Sequence, residues 1–299
     1  MPELQRGDLL RMQIIRKVVP NNFNLFLTGD KHTGSRLSHD DGWYQMVHLI
    51  NSEVDGIKPK NNFVIDHGDM IEAINVQDKR FDFTSRDLKS AQIDKQEDYA
   101  VEERKPIARN LIAILKGNHC HKLLRFRNIT QKICDSLRVQ YGTVSCVIEY
   151  VDKKDEVLFK QYAHHGFGGA RSIAYPEKRR QTNLKISMMT KFQNKWGDCI
   201  LASMGHLHQL IICEPEPQLY LTVKDGKIHQ KYTEEELDSK DRIDPNLRWY
   251  VCTGSFLKTY GLGFDSYGER AGYDPVELGF ILVKVRERKI QSVEKVFLD

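Results

Sequence analysis

The residues with the clearest chemical potential lie in a short turn, Asp30-Lys31-His32, that follows the apolar run Leu25–Leu27. An apolar run without a helical period predicts a strand buried on both faces, and α/β sheets bind ligands just beyond the carboxyl ends of such strands. Because side chains two apart share one face of an extended segment, we expect Asp30 and His32 to point the same way. A carboxylate oxygen beside an imidazole nitrogen suits a divalent transition metal. Taken alone, the turn is better explained as ordinary surface structure.

The same arrangement recurs after four further apolar runs. The recurring groups are Gly68-Asp69, Gly117-Asn118-His119, His164-His165-Gly166 and Gly205-His206-Leu207-His208. Eight of the eleven histidines fall in or beside these turns. Each group taken singly has a simpler explanation, as a turn, a helix cap or a satisfied core histidine. Their repetition at strand ends favours one shared metal site.

The hydrophobic pattern predicts the elements that must position these turns. We expect strands at 23–27, from 62 into the turn at 69, and at 111–115, 144–151, 156–163, 199–204, 219–223, 228–232, 249–253, 280–285 and 290–297. Helices are expected at 40–54, 84–105, 121–137 and 176–195, the second of them exposed and ending before Pro106. Residues 1–22 are interpreted as a lead-in helix or arm. The chain shows no repeat and no linker, so we expect one domain over 1–299, with a charged surface insertion at 233–246.

Composition sets broad limits on the class of protein. The 299 residues are 40% hydrophobic, which permits a substantial core, and the net charge of +4 fits a phosphate-bearing partner or an ordinary surface. We find no signal-peptide core and no apolar stretch near the ~20 residues that span a bilayer. Six scattered cysteines without a Cys-x-x-Cys pair indicate reduced, mostly buried thiols. These features predict a cytoplasmic protein that does not associate with membranes.

The five turns together resemble the calcineurin-like metallophosphoesterase superfamily, over residues 24 to 210. Thr253-Gly254-Ser255 resembles the closing turn of that family, and the run from His165 to Arg171 is most similar to its phage and bacterial members. The resemblance implies an α/β fold, a four-layer α-β-β-α sandwich of two mixed β-sheets with a β-hairpin-rich C-terminal part. It also implies two bound divalent metal ions, Mn²⁺ first, with Fe or Zn as alternatives.

The resemblance also implies how the two ions are shared among the turns. The first ion would be held by Asp30, His32, Asp69 and His208. The second would be held by Asp69, Asn118, His206 and either His164 or His165. Asp69 would then bridge the two ions. His165 is favoured over His164 because it directly precedes Gly166, but both registers fit.

Other residues receive roles beside the metals. His119 would lie near the leaving oxygen as a hydrogen-bond donor or general acid, with Asp69 as the second catalytic residue. The family usually has an acidic residue after Gly-Asn-His, and this chain has Cys120. We therefore expect Glu72 to support His119 instead.

Substrate contacts are expected from three further side chains. Arg171 follows two glycines and is suited to grip a phosphate oxygen in a bidentate manner, together with Asn118. Lys31 and His121 flank the ligands and could also face the substrate.

The function implied is a metal-dependent phosphoesterase that hydrolyses a phosphate mono- or diester by two-metal hydroxide attack. An alternative is a nuclease of the same superfamily acting on DNA or RNA, with the basic segments 121–132 and 176–195 along the backbone. A non-catalytic scaffold with a retained fold is a further alternative, but every ligand type the family needs is present. A structural zinc protein is disfavoured because paired cysteines are absent. The sequence does not predict the substrate or the oligomeric state.

Overall fold

The computed structural model describes residues 12–74, 78, 92–124, 127–170, 172–233, 242–263 and 265–298. The strands in these ranges are β1 (Gln13–Val18), β2 (Phe23–Thr28), β3 (Asn62–Asp66), β4 (Leu111–Ile114), β5 (Gln140–Tyr141), β6 (Ser145–Val151), β7 (Val157–His164), β8 (Leu201–Met204), β9 (Leu210–Cys213), β10 (Leu219–Lys224), β11 (Lys227–Tyr232), β12 (Trp249–Thr253), β13 (Gly279–Arg286) and β14 (Lys289–Phe297). The helices are α1 (Asp40–Ile50), α2 (Ile93–Arg104), α3 (Asn118–His121), α4 (Ile129–Leu137), α5 (Glu177–Phe192) and α6 (Tyr267–Arg270).

Two six-stranded mixed sheets organise these elements. The first sheet has the order β1-β6-β7-β8-β12-β9, and the second has the order β14-β13-β2-β3-β4-β5. Strands β7, β8 and β12 run parallel in the first sheet, as do β2, β3, β4 and β5 in the second. Each sheet therefore presents several neighbouring carboxyl ends at one edge, where ligands of α/β proteins bind.

The side chains between and outside the sheets form three cores. One core lies between the sheets and joins Leu25 and Ile65 of the second sheet to Ile148 and Leu201 of the first. A second core packs α1, α2 and α4 against the outer face of the second sheet, and a third packs α5 against the first. This layering is compatible with an α/β sandwich, so the predicted α/β class with two mixed sheets is confirmed at this level.

Most predicted strands are confirmed within a residue or two. The Asp225-Gly226 hairpin forms as β10 and β11, and β13 pairs with β14 as a second C-terminal hairpin. Helix α5 lies inside the predicted basic segment 176–195. All six cysteines are buried and unpaired, as expected for reduced thiols. Among the described residues, no helix is both long and apolar enough to cross a membrane.

Three element predictions are wrong. The predicted helix or arm at 1–22 contains the strand β1, which pairs in parallel with β6 at the edge of the first sheet. The predicted helix 121–137 is not continuous, since α3 ends at His121, a turn follows, and α4 begins at Ile129. Helix α2 is not simply exposed, because Glu103 and Arg104 are buried. Parts of three predictions lie outside the described residues. They are residues 1–11 of the arm, 84–91 of this helix and 234–241 of the charged insertion.

Candidate metal centre

The turns after the strands have an unusual backbone conformation. Asp30, His32, Asp69, His206 and His208 have φ angles of 53°, 51°, 48°, 70° and 54°. This left-handed region is unfavourable for residues with a Cβ and clusters at functional sites. The side chains of Asp30 and His32 do lie close together. The sequence predicted this from an extended segment, but the backbone that carries them is left-handed and not extended.

Asp30, His32 and His208 form a first donor group, with ligand atoms close enough to hold one ion. Asp30 Oδ1 lies 4.0 Å from His32 Nε2 and 3.5 Å from His208 Nε2. The other oxygen of Asp30, Oδ2, accepts a hydrogen bond of 2.8 Å from the backbone N–H of His206. Buried as they are, Asp30 Oδ1 and His32 Nε2 have no hydrogen-bond partner in the described structure. Two orphaned lone pairs that face each other fit a bound cation.

Asp69, His165 and His206 form a second donor group. His165 Nε2 lies 3.4 Å from Asp69 Oδ2 and 2.9 Å from Asn118 Oδ1. The Nδ1–H of His165 donates to the carbonyl of His67 at 2.7 Å, so Nε2 of the neutral ring directs its lone pair at two oxygens. Either a proton or a metal ion satisfies this arrangement.

The electrostatics of His165 agree with that geometry. Burial works against a charged imidazole, but the carboxylate of Asp69 and its hydrogen bond outweigh burial and raise the pKa of His165 to about 9. Burial likewise opposes ionisation of Asp69, yet the neighbouring His119, His165 and His32 hold its pKa well below the usual range. The site therefore stabilises positive charge at its centre.

His119 belongs to a third donor group, with His32 and Asp69. Its backbone N–H donates to Asp69 Oδ1 at 2.9 Å, and its ring centroid lies 4.5 Å from that of His32. The Nδ1–H of His119 donates a hydrogen bond to the carbonyl oxygen of Glu72 at 2.5 Å. The remaining nitrogen, Nε2, is therefore the one that can exchange protons.

Glu72 contacts two histidines. Its carboxylate accepts from His32 Nδ1 at 2.8 Å and lies 3.9 Å from His119 Nδ1. The carboxylate thus hydrogen-bonds to His32 and lies within ion-pair distance of His119, whose Nδ1 hydrogen bond goes to the Glu72 carbonyl. The hypothesis that the Glu72 side chain orients His119 stays a prediction. Cys120, which replaces the usual acid, is buried, and burial raises the pKa of its thiol to about 12.

The adjacent residues His164 and His165 have different surroundings, and His165 is the one near the other donors, as the sequence favoured. His165 joins the second donor group, whereas His164 Nδ1 accepts from the backbone N–H of Gly166 at 2.8 Å, and its ring contacts Tyr162 and Phe167. Burial and nearby positive groups lower the pKa of His164 to about 4. His164 is therefore a neutral packing residue.

Glycines of the motifs allow the turns to approach one another. A Cβ on Gly117 would lie 1.9 Å from Asp69 Oδ1, and one on Gly205 would lie 2.7 Å from Asp30 Oδ2. The closing turn contributes as well, because Ser255 Oγ and the N–H of Phe256 both donate to the carbonyl of Asp30 at 3.1 Å. These glycines are therefore required by neighbouring donors rather than by loop flexibility.

A cavity of about 690 Å³ opens beside the donor groups. The residues that line it include Asp69, Asn118 and His119 of the turns, Arg180 and Leu184 of α5, and residues 272–277. Lys31 and His121 are not among the lining residues, so they do not face this cavity as the sequence suggested. Arg171, the predicted phosphate contact, lies outside the described residues.

Several residues of the site have no clear sequence signal. His67, which directly precedes Gly68, bonds between the sheets and does not belong to any of the donor groups found among the described residues. Glu103 and Arg104 of α2 form buried ion pairs behind the turns, a role that a charged helical sequence does not reveal. A Glu or Arg in such a helix is usually exposed, and only the three-dimensional partners explain its burial.

The donor set of carboxylates, imidazoles and one amide can hold two adjacent divalent transition metals of the Mn, Fe or Zn type. The cavity gives a ligand access to both donor groups. No protein-family model matches the sequence, and a search of curated proteins found no match. The interpretation of the site therefore rests on its own geometry and chemistry.

Proposed function

We propose that this chain is a metal-dependent phosphoesterase of the calcineurin-like type, with the four-layer sandwich of that superfamily as its fold. The observation that carries the proposal is the position of Asp69. Its carboxylate belongs to two donor groups, one with His32 and His119 and the other with His165 and His206. A carboxylate shared between two such groups is the arrangement that a two-metal hydrolase requires.

Asp30, His32, His208 and Asp69 would hold one cation, and Asp69, Asn118, His165 and His206 would hold the other. The unpartnered Asp30 Oδ1 and His32 Nε2, together with a proposed ligand set of oxygens and imidazoles, support manganese, iron or zinc. Bound there, two divalent cations would acidify a water molecule and neutralise the charge of the phosphoryl group. The cavity beside them is large enough to admit an ester with a sizeable leaving group.

The protein itself contributes a proton donor. In the proposed reaction water supplies the new oxygen on phosphorus, the ester P–O bond breaks, and the departing oxygen needs a proton. His119 lines the cavity, and its Nδ1 is engaged by the Glu72 carbonyl, so Nε2 is the nitrogen that would deliver this proton.

One observation favours nucleic acid as the substrate. Ile173, which lines the cavity, and Tyr175, two residues further on and before α5, are almost fully exposed. Lys178 and Arg179, which follow in the sequence, are exposed as well. Basic side chains next to an exposed aromatic ring suit a single strand, whose bases stack on such rings. A nuclease activity of this kind would weaken steeply with rising salt.

The test combines metal content with a substrate panel. Wild-type protein loaded with Mn²⁺ is assayed on single-stranded DNA, double-stranded DNA, RNA and p-nitrophenyl mono- and diesters, with a chelated sample as the metal-free arm. We expect two ions per chain and metal-dependent hydrolysis. We expect Asp69→Asn to lose bound metal and on the order of 10²- to 10³-fold in turnover, as when a preorganised charge-stabilising group is removed.

Asp155→Asn is the matched control. Asp155 also has a left-handed backbone, with φ 68°, but its side chain is exposed on the β6–β7 turn. Unchanged turnover of Asp69→Asn, or a wild-type protein that takes up no metal at saturating Mn²⁺, contradicts the proposed function.

A further inference from the structure

A buried lysine lies between two members of the first donor group. The Lys31 side chain is fully buried, and its ammonium contacts Ser38 Oγ at 2.6 Å, Asp40 Oδ1 at 2.6 Å and Glu103 Oε1 at 3.4 Å. These three partners match the three N–H donors of an ammonium group. The side chain therefore turns away from the cavity, toward α1 and α2.

The contacts of Lys31 continue into a chain of alternating charges. Glu103 also accepts from Thr33 Oγ1 at 2.6 Å, through its second oxygen. The next residue, Arg104, donates from Nε to Asp66 Oδ2 at 2.8 Å, and Asp66 Oδ1 accepts from the N–H of Gly68 at 2.9 Å. Two consecutive residues of α2 thus connect the turn after β2 with the turn after β3.

The backbone is strained at the two residues that flank Lys31 in this turn. Asp30 and His32 both occupy the left-handed region, which persists in residues with a Cβ only where surrounding contacts over-determine it. Backbone bonds of His32 to Asp69 at 3.0 Å and of Thr33 to Met70 at 2.9 Å hold the turn on the side of β3. Lys31 holds the same turn on the side of the helices.

Buried ion pairs of this kind contribute little net stability, because desolvation offsets most of the attraction. Their defined geometry can nevertheless fix one conformation. We propose that Lys31, through Glu103 and Asp40, is a positioning residue that keeps Asp30 and His32 preorganised for the first metal ion. This inference rests on the proposed function, since it presumes that the donor groups bind metal.

The proposal predicts an asymmetry between the two ions. Among the described residues, the ammonium of Lys31 contacts Ser38, Asp40 and Glu103 and none of the three turns that carry Asp69, His165 and His206. His165 is held separately, by the carbonyl of His67. Loss of Lys31 should therefore weaken the ion at Asp30, His32 and His208 and spare the other.

The experiment is a Mn²⁺ titration of the full chain, followed by calorimetry and by electron paramagnetic resonance. Lys31→Met keeps the length of the side chain and removes the charge. Loss of a residue that orients ligands weakens metal affinity by about 10- to 100-fold, so we expect this drop for one ion only. The spectrum should then change from that of a coupled manganese pair to that of an isolated ion. Lys105→Met, which removes an exposed lysine paired with Glu102 at the end of α2, should retain two ions.

A second variant guards against misfolding. Glu103→Gln retains an oxygen that can accept from Thr33 and removes the charge that faces Lys31, so it should weaken the same ion to a smaller extent. Two unchanged affinities in folded Lys31→Met overturn the inference and leave the proposed function intact. If Lys31→Met does not fold, two unchanged affinities in Glu103→Gln overturn it in the same way. A wild-type chain that binds no Mn²⁺ overturns the proposed function itself.

Discussion

Three imidazoles at the centre of the site each have one nitrogen hydrogen-bonded to a partner outside the donor groups. His32 is held by the Glu72 carboxylate, His119 by the Glu72 carbonyl and His165 by the His67 carbonyl. These partners fix the tautomer and aim the other nitrogen toward the donor groups. The residue types were readable from the sequence, but carbonyl partners are not, because any residue can supply a carbonyl at the right place.

Glu72→Gln should separate the two roles of Glu72. The change removes the charge beside His32 Nδ1 but leaves the backbone carbonyl on His119. We expect Mn²⁺ affinity at the first donor group to fall about 10-fold, the lower end for residues that orient ligands. The hydrogen bond from His119 Nδ1 to that carbonyl should be retained.

Calorimetric Mn²⁺ titration measures this affinity, and Glu102→Gln, at an exposed position of α2, is the control. Unaltered Mn²⁺ affinity in folded Glu72→Gln would show that the carboxylate does not orient His32 for metal binding.

At the level of elements, the site is built from close contacts between turns of neighbouring strands. Gly68, Gly117 and Gly205 are the positions where those turns touch. A Cβ at Gly117 would fall within 2.3 Å of the Asp69 nitrogen as well as on its carboxylate. The glycines in the motifs thus set the distance between donors on separate strands.

Gly117→Ala should therefore damage the metal site and the local packing together. Overpacking of this kind costs about 1–3 kcal/mol, and the displaced Asp69 should lower the affinity for both ions. Urea unfolding and Mn²⁺ titration are the measurements. Gly169→Ala is the control, because its Cβ would meet no atom within 4 Å and its φ is ordinary. Equal stability and equal metal affinity in the two variants would rule out the steric explanation.

The sequence predicted an element well where the buried side chains of that element are hydrophobic. The strands β2, β3 and β4 are buried apolar runs, so their positions and the turns after them were evident. Strand β1 was missed because Arg16 and Lys17 interrupt its pattern at a sheet edge. The inner face of α2 was missed because Glu103 and Arg104 are buried as ion pairs. A one-dimensional pattern does not reveal partners that lie far apart in sequence.

At the scale of the whole molecule, the proposed metal site needs the two sheets to keep a fixed relation, since each supplies part of both donor groups. His67 is a polar bridge between them. Its Nδ1–H donates to the Thr28 carbonyl at 3.0 Å, and its Nε2 lies 2.8 Å from Ser203 Oγ on β8, which also accepts from Gln161. A neutral imidazole can make both of these hydrogen bonds, by donating from Nδ1–H and accepting at Nε2. Burial accordingly lowers the pKa of His67 to about 4.

This bridge predicts a pH dependence of the free energy of unfolding. Unfolded His67 has a pKa near 6.5, so between about pH 6.5 and pH 4 the unfolded chain binds a proton that the folded chain does not. Stability must then fall as the pH is lowered through this window, by on the order of 3 kcal/mol for the whole shift. His67→Gln should be less stable than wild type at pH 7, because it loses bonds between the sheets. It lacks the titrating group, however, so the gap should narrow as the pH approaches 4. Urea unfolding of both proteins at several pH values measures this difference in the free energy of unfolding. A chelator is present so that both proteins are free of bound metal. A gap that stays constant across the window would mean that His67 is not held neutral in the folded protein.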